Sequence, residues 1–596
     1  MVLPSFSFPC EQKTCKVCGK PLQVYLTRER HIISVAYKTF IAVERQGYCP
    51  GHRSLSPVRS QQLAQMVAPG ANIAYDVLAR IGLARYLECR QSKEIRPLLY
   101  RDCGIEVKES TIRYLARKFV AYFQIVHEQS IPLLRAAMRS RGGYILHIDG
   151  TCDGASAVVL VCIDSLSGQV LKSERIGSEN HIEVKRILQK IRREWGIPLA
   201  IVSDLRRALI TAAAEVFKGV LQFVCHYHLA ADVGKDILSK HQDHLRGLFR
   251  CAKVKADLQA LKRSLKAYAV SKGSAKHRVQ SLLTLRSRNE LKSHCTPEAI
   301  QGSVHGLISW ILAYTRDGEG YGFPFDMPYL NLYERIVKAQ RILCATITTW
   351  PTCKRGALGS ISRLKTILDR VVVGEQASLF QECVAATRRD QKIFNRFRDA
   401  LRICPRGGKQ RRHDEGASCT LSPKQHKDIL RTLKTNLNRQ IRNATPSQTA
   451  CEIVVQHLNK YWNYLFGHRI HKGSQTIVVP RTNNIDEAMI GIIKRQCRRL
   501  HGRGHVGHDL NVMPPSMPLI QNLHNVSYCS AVYGGREMKN LAERFSQVDF
   551  KAVKQLMDSW RTEQVTTRLP RQLEVMSDLP DKSARFLSVA ITELDN

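Results

Sequence analysis

Long apolar runs are missing from this chain. The longest wholly apolar stretch, residues 157–163, is far shorter than the ~18 residues needed to span a bilayer. The N-terminal sequence MVLPSFSFPC has neither the basic start nor the long apolar stretch of a signal peptide. We therefore expect no membrane partner.

A disulfide framework is not expected either. The 19 cysteines are odd in number and scattered over 596 residues, and no secretory signal accompanies them. Such usage is typical of reduced thiols in a cytosol. The sequence predicts a cytoplasmic protein.

Acidic residues are few relative to basic ones. The chain has 51 Asp and Glu against 91 Lys and Arg, which gives a formal net charge of +40. From residue 541 to the end, eight basic and nine acidic side chains give −1, so the excess is not a basic tail. A hydrophobic content of 44% excludes a mainly disordered chain. The charge favours nucleic acid as partner over a merely solvated charged surface.

Two short cysteine motifs near the N-terminus predict a zinc site. Cys15 and Cys18 form a C-x-x-C pair, and Cys49 and His52 form a C-x-x-H pair. This spacing lets tight turns direct four ligands at one tetrahedral Zn²⁺. The stretch between the pairs has the β-branched and aromatic residues of strands, so we expect a zinc-ribbon-like knuckle.

Residues 73–122 have helical periodicity throughout. Two helices are expected before the turn at Gly104, and Ser110 is a candidate N-cap for a third. The third helix would expose Arg113, Arg117 and Lys118, a pattern typical of a helix-turn-helix DNA reader. An ordinary helical bundle with a basic face is the alternative.

The periodicity changes to strands at residue 144. The order β-β-β-α-β-α-β over residues 144–228 predicts an antiparallel meander followed by parallel strands, hence an α/β fold with a mixed five-stranded sheet. Asp149 and Asp204 end the first and fourth strands, which this topology makes neighbours. Two carboxylates placed together favour Mg²⁺ or Mn²⁺ between them.

A third acid lies far along the chain. The turn Thr482-Asn483-Asn484 precedes a helix with Glu487 and a basic row, Lys494 and Arg498. Asp486 and Asp509 are nearby alternatives.

These motifs together resemble the catalytic domain of the Mutator-like group of DDE transposases and related bacterial insertion-sequence transposases. The resemblance covers roughly residues 140–530 and rests on D-G-T at 149, S-D at 203–204, C-x-x-H at 225–228, T-N-N-x-x-E ending at 487, and the stretch 519–528. It implies an RNase H-like core with a large all-α insertion. It also places Cys225 and His228 beside the active site. We expect Asn484 and Lys494 beside the active site as well, and Arg498 in contact with DNA.

The resemblance implies a mechanism with two metal ions. Asp149 would bridge both ions, Asp204 would bind one, and Glu487 the other. The enzyme would nick double-stranded DNA at transposon ends and join the freed 3′-hydroxyl to target DNA. Such enzymes act as homodimers or larger assemblies, and a bacterial, nucleoid-associated location is expected.

The predicted organisation has six parts. They are a zinc-binding ribbon (1–60), a helix-turn-helix domain (70–140), the first part of the RNase H-like core (141–228), a helical insertion (229–480) with a flexible break at 405–418, the second part of the core (481–535), and a C-terminal helical tail (536–596).

Two further groups of residues allow more than one interpretation. His501, His505 and His508 with Asp509 are interpreted as a flexible DNA-contacting loop rather than a metal site. Tyr461, Trp462 and Tyr464 are typical of a helix core, with base stacking as the alternative.

Two other functions remain open at this stage. One is a domesticated DNA-binding regulator that has lost catalysis, and the other is an RNase H-like structure-specific nuclease.

Overall fold

The computed structural model describes residues 3–154, 156–270, 296–318, 320–352, 355–403 and 422–562. The described residues of Met1–Cys225 and Gly467–Asn596 form one compact unit, and those of His226–Phe466 form a second. The predicted flexible break at 405–418 and the end of the predicted tail, 563–596, lie outside the described residues. No helix in the described ranges is long and apolar enough to cross a membrane.

The first unit opens with a three-stranded sheet in the order β1-β3-β2. Its strands are β1 (Ser5–Phe8), β2 (Gln23–Ser34) and β3 (Lys38–Tyr48). The antiparallel β2–β3 hairpin matches the predicted strands, whereas β1, parallel to β3, was not predicted.

Four helices follow this sheet. They are α1 (Gln61–Met66), α2 (Tyr75–Tyr86), α3 (Ser92–Cys103) and α4 (Glu109–Ser140). Helix α3 ends at Gly104 with φ 66°, a left-handed conformation that glycine adopts without strain. Helix α4 begins at Glu109 rather than after Ser110, and Lys108 occupies its N-cap. Glu109 in the first turn suits the positive end of the helix dipole.

The predicted mixed five-stranded sheet is confirmed. Its strands are β4 (Ile145–Thr151), β5 (Val158–Asp164), β6 (Gln169–Ile176), β7 (Ala200–Ser203) and β8 (Leu221–Val224), in the order β6-β5-β4-β7-β8. Strands β4, β5 and β6 are antiparallel neighbours, and β7 is parallel to both β4 and β8. Helices α5 (His181–Trp195) and α6 (Arg207–Val216) form the crossovers.

The described residues of the second unit form eight α-helices. In chain order they are α7 (His226–Cys251), α8 (Val254–Val270), α9 (Pro297–Leu312), α10 (Pro328–Thr346), α11 (Gly356–Val372), α12 (Ala377–Ala400), α13 (Pro423–Arg442) and α14 (Gln448–Tyr461), with 3-10 turns at Tyr314–Asp317 and Trp462–Tyr464. Buried aromatic side chains such as Phe249, Phe380 and Phe397 belong to its core.

The chain then returns to the first unit. Here lie the hairpin β9 (Arg469–Lys472) and β10 (Gln475–Val478), then α15 (Asn484–His501), α16 (Gly507–Val512), a 3-10 helix (Met517–His524), α17 (Val526–Tyr533), α18 (Met538–Ser546) and α19 (Phe550–Thr562).

The largest hydrophobic core cluster among the described residues of the first unit joins its helices to the five-stranded sheet. It contains Phe119 and Phe123 of α4, Val161 of β5, Ile493 of α15 and Tyr528 of α17. Residues 73–122, where we expected a helix-turn-helix module, therefore share their core with the five-stranded sheet. This shared packing fixes α15 against the strands that carry the predicted acids.

Candidate functional site

The two aspartates predicted to converge lie on neighbouring parallel strands, but only Asp204 follows the end of its strand, because β4 continues past Asp149 to Thr151 and Asp149 is paired with Val161 of β5. In the β4–β7 register Ile148 is opposite Ser203, so Asp149 and Asp204 are the next residues of the two strands. Asp149 is 9% exposed, and its Oδ1 accepts a hydrogen bond of 2.8 Å from the Gly150 N–H. The Leu205 N–H donates at 2.9 Å to Asp204 Oδ1. These local bonds limit the side-chain rotation of both carboxylates.

Asn483 fixes the start of α15 against the sheet. Its Oδ1 is 2.8 Å from His147 Nδ1, and its Nδ2 donates at 3.3 Å to the Ile148 carbonyl. Its backbone N–H donates at 3.2 Å to Cys225 Sγ. Asn483 is fully buried, and these contacts join β4, the end of β8 and the helix.

Cys225 thus helps to position the helix, and Asn483 is the residue through which it does so. Asn484, predicted to lie beside the active site, is exposed at the first position of α15. A role for Asn484 beside the active site stays a prediction, and Asn483 is the asparagine of this turn whose side chain contacts the sheet.

The first turn of α15 carries two adjacent acids. Asp486 is fully buried, whereas Glu487 is half-buried. Burial, and then the nearby carboxylates of Asp149 and Glu487, raise the pKa of Asp486 well above its ordinary value, although Asn483 partly offsets this rise. Neither carboxylate oxygen of Asp486 has a hydrogen-bond donor of regular geometry among the described residues.

This arrangement fits a bound cation. Buried carboxylates close to one another repel unless a proton or a metal ion compensates their charge. Oxygen-only donors favour a hard cation such as Mg²⁺ or Mn²⁺. For the buried Asp486 the raised pKa indicates a proton, whereas Asp149, Asp204 and the half-buried Glu487 could hold a cation.

The basic row after these acids divides into two different environments. Lys494 is half-buried, and its Nζ is 3.4 Å from the Cys152 carbonyl, close along the chain to Asp149. Arg498 is exposed on the helix surface, where its Nε donates to the Gly504 carbonyl at 3.3 Å. Arg498 is therefore the more accessible of the two to a contact in solvent, whereas Lys494 faces the backbone near Asp149.

His147, which contacts Asn483 beside the predicted acids, makes the stability of the fold depend on pH. It is fully buried, and burial lowers its pKa to about 4, an effect that the Asn483 contact opposes. The unfolded chain, with an ordinary histidine pKa near 6.5, binds the proton more readily than the folded chain. The contribution of the neutral His147 to the free energy of unfolding is therefore fully present above pH ~6.5, and it is lost as the pH falls toward 4.

His147→Gln is expected to reduce this acid sensitivity by about 3 kcal/mol between pH 6.5 and 4, the equivalent of the pKa difference. Denaturant unfolding at several pH values measures it. The control is His505→Gln, because His505 is 99% exposed. An unchanged pH slope in His147→Gln would contradict the assignment.

His228 lies in the second unit, in the first turn of α7. The division between the units falls between Cys225 and His226. A role for His228 beside the carboxylates stays a prediction.

The four predicted zinc ligands come together. The ligand atoms of Cys15, Cys18, Cys49 and His52 all lie within 4.8 Å of one another. Cys18 Sγ is 3.6 Å from Cys49 Sγ, and His52 Nδ1 is 3.8 Å from Cys15 Sγ and 3.6 Å from Cys49 Sγ.

The turn around Cys15 prepares its sulfur for a metal. Backbone N–H groups of Cys18 and Val17 donate to this sulfur and lower the pKa of Cys15 to about 6. A thiolate is the form that binds Zn²⁺. Gly19 follows with φ 70°, which allows the tight turn. This Cys₃His group could therefore bind zinc.

The predicted DNA-contacting residues of α4 differ in exposure. Arg113 is exposed, with Glu109 at 3.8 Å, and Arg117 is half-buried. Lys118, by contrast, is 8% exposed, and its Nζ lies 5.0 Å from the centre of the Phe550 ring. Helix α19 packs on α4 at this point, so Lys118 is not placed as a surface contact.

The loop after α15, interpreted as flexible, is held by two aspartates. His501 Nδ1 is 2.7 Å from Asp509 Oδ1, and the Val506 N–H donates at 2.6 Å to Asp153 Oδ2. Asp509 is only 2% exposed, and its carboxylate is already paired with His501. His508 belongs to the short helix α16.

The aromatic stripe of the second unit is only partly core. Tyr461 is buried, whereas Trp462 and Tyr464 are half-buried. Lys434 Nζ lies 5.4 Å from the Trp462 ring centre.

The comparisons with known proteins give little. No family model and no curated protein matches the chain. Among solved structures, a chain of the Drosophila P element transposase strand transfer complex is similar at 12% identity and a TM-score of 0.28, with 81% of this chain and 94% of that chain covered. At this score the likeness establishes neither fold nor function.

Proposed function

We propose that this protein is a DNA transposase of the DDE type with an RNase H-like core. The observation that carries the proposal is the placement of acids around the end of β4. Asp149 and Asp204 follow register-matched positions of parallel strands, and the buried Asp486 lies beside Asp149 with Glu487 next to it.

Asp149, Asp204 and Glu487 would hold two Mg²⁺ or Mn²⁺ ions. When bound, such ions activate a hydroxyl nucleophile and stabilise the leaving oxygen at phosphorus. Asn483 and Cys225 hold the start of α15, and so Glu487, at a fixed distance from β4. We assign the ligand role to Glu487 because it is half-buried and so accessible to a cation that also contacts substrate, whereas Asp486 is closed to solvent.

The net charge of +40 supports DNA as the substrate. In the proposed organisation, transposon ends are read by the helix-turn-helix region, while the helical insertion and Arg498 supply phosphate contacts. The Cys₃His group holds a structural Zn²⁺. A homodimer or larger assembly acts on a pair of ends in the bacterial cytoplasm, associated with the nucleoid.

A joining assay tests the proposal. Purified protein is incubated with Mg²⁺ or Mn²⁺, a labelled duplex that carries the ends of its element, and a target plasmid. Transposase activity gives covalent joining of the labelled end to the plasmid. Binding without cleavage would instead indicate a DNA-binding regulator, and cleavage of branched DNA without joining would indicate a nuclease.

Arg113→Ala is expected to reduce the preference for end sequences. An arginine that contacts a base edge contributes about 1–3 kcal/mol of discrimination, so roughly tenfold or more of the specificity should be lost. Competition binding with end and random duplexes measures the ratio. Arg186→Ala removes the same charge from α5, where Arg186 pairs with Glu174, and serves as control. An equal loss on all duplexes would make Arg113 a phosphate contact only.

A further inference from the structure

Glu179 is a buried acid that the proposed mechanism does not use. It lies just before α5, whose N-cap is Asn180, and its side chain is only 4% exposed. Its Oε2 is paired with Nη1 of Arg206, and the Arg206 side chain is 50% exposed. The half-exposed guanidinium of Arg206 therefore covers the solvent-facing side of the buried Glu179 carboxylate.

This ion pair joins the backbone next to Asp149 to the segment that follows Asp204. On one side, the Glu179 carboxylate packs directly on Gly150, where a Cβ atom would collide with Oε1. Gly150 in turn donates to Asp149 Oδ1. On the other side, Arg206 is two residues after Asp204. Glycine at 150 is required by this close approach.

The position of Arg206 raises an electrostatic problem. A guanidinium has donors that match a carboxylate in two-point geometry, and it is always charged. Close to Asp149 and Asp204, such a group would compete with divalent cations for the same oxygens. Glu179 supplies Arg206 with another carboxylate and removes this competition.

We propose that Glu179 is a positioning residue that holds Arg206 away from Asp149 and Asp204 and so leaves them available to bind divalent cations. The inference rests on the proposed function, because it assumes that these two acids bind the cations. It assigns Glu179 no direct contact with metal or DNA.

A double-mutant cycle on the full, zinc-loaded chain tests the inference, with Mn²⁺ affinity measured by electron paramagnetic resonance. Glu179→Gln is expected to weaken Mn²⁺ binding about tenfold, within the range found when an outer partner of a metal ligand is lost. The double variant Glu179→Gln/Arg206→Gln should bind Mn²⁺ within about twofold of the wild type, since the competing cation is gone. Glu215→Gln, which removes a surface partner of Lys185, is the control.

Weak binding that persists in the double variant would overturn the inference, since Glu179 would then act on the metal directly or on the fold. Wild-type affinity in Glu179→Gln would overturn it as well. Should Glu179→Gln not fold, Glu179→Asp keeps the charge but withdraws the carboxylate from Arg206, and the same weakening, restored by Arg206→Gln, is expected. Asp149→Asn separates the two proposals: if it leaves Mn²⁺ binding unchanged, the cation site of the proposed function is wrong, whatever Glu179 does.

Discussion

Replacing Asp149 with Asn is expected to abolish metal-dependent joining, with a loss of at least about a thousandfold. The substitution keeps the size of the side chain but removes a charged ligand, and several kcal/mol of transition-state stabilisation depend on the bound ions. DNA affinity should stay equal or rise, because a negative charge near the phosphates is lost. The joining assay and a binding titration on the same preparation measure the two effects.

Glu194→Gln is the matched control, since Glu194 pairs with Lys172 away from the predicted acids in sequence. It should retain wild-type joining. Retained joining in Asp149→Asn would refute the catalytic assignment.

The same assay distinguishes Glu487 from Asp486. We expect Glu487→Gln to lose joining, as Asp149→Asn does. Asp486→Asn should be more stable than the wild type at neutral pH, because a buried carboxyl with a raised pKa loses stability as the pH rises above its unfolded value. If only Asp486→Asn abolished joining, the third ligand would be Asp486.

Loss of the zinc site is expected to reduce strongly the stability of the N-terminal sheet. Cys15→Ser with Cys18→Ser is expected to release about one zinc ion per chain and to unfold the three-stranded sheet at the N-terminus. Binding of structural zinc contributes on the order of 10 kcal/mol to small zinc domains, far more than the small hydrophobic cluster around Phe40 can offset. Elemental analysis and limited proteolysis measure the two losses, and end recognition should weaken with them.

Cys344→Ser is the control for this pair, because Cys344 is exposed in the second unit and is not part of the Cys₃His group. It should leave the zinc content unchanged. An unchanged zinc content in the Cys15 and Cys18 variant would exclude these residues as ligands.

Several features followed from the sequence alone because they depend on local patterns. The spacing of Cys15, Cys18, Cys49 and His52 indicated one metal group, since each pair lies on a tight turn. Short apolar runs and helical periodicity predicted the strands and crossovers of the five-stranded sheet. The parallel arrangement then predicted that Asp149 and Asp204 lie at the same level of the sheet, and the β4–β7 register agrees, with Ile148 opposite Ser203.

Other features depend on which face of an element is covered, and the tertiary structure alone decided them. Lys118 looks like a surface cation in the sequence, but helix α19, more than 400 residues later, covers it. Asn483 and Asn484 are equivalent in the motif, yet only Asn483 faces His147 and Cys225. The burial of Asp486 and the contact between Glu179 and Gly150 likewise involve chain segments that come into contact only in the folded protein. Local sequence patterns therefore cannot predict them.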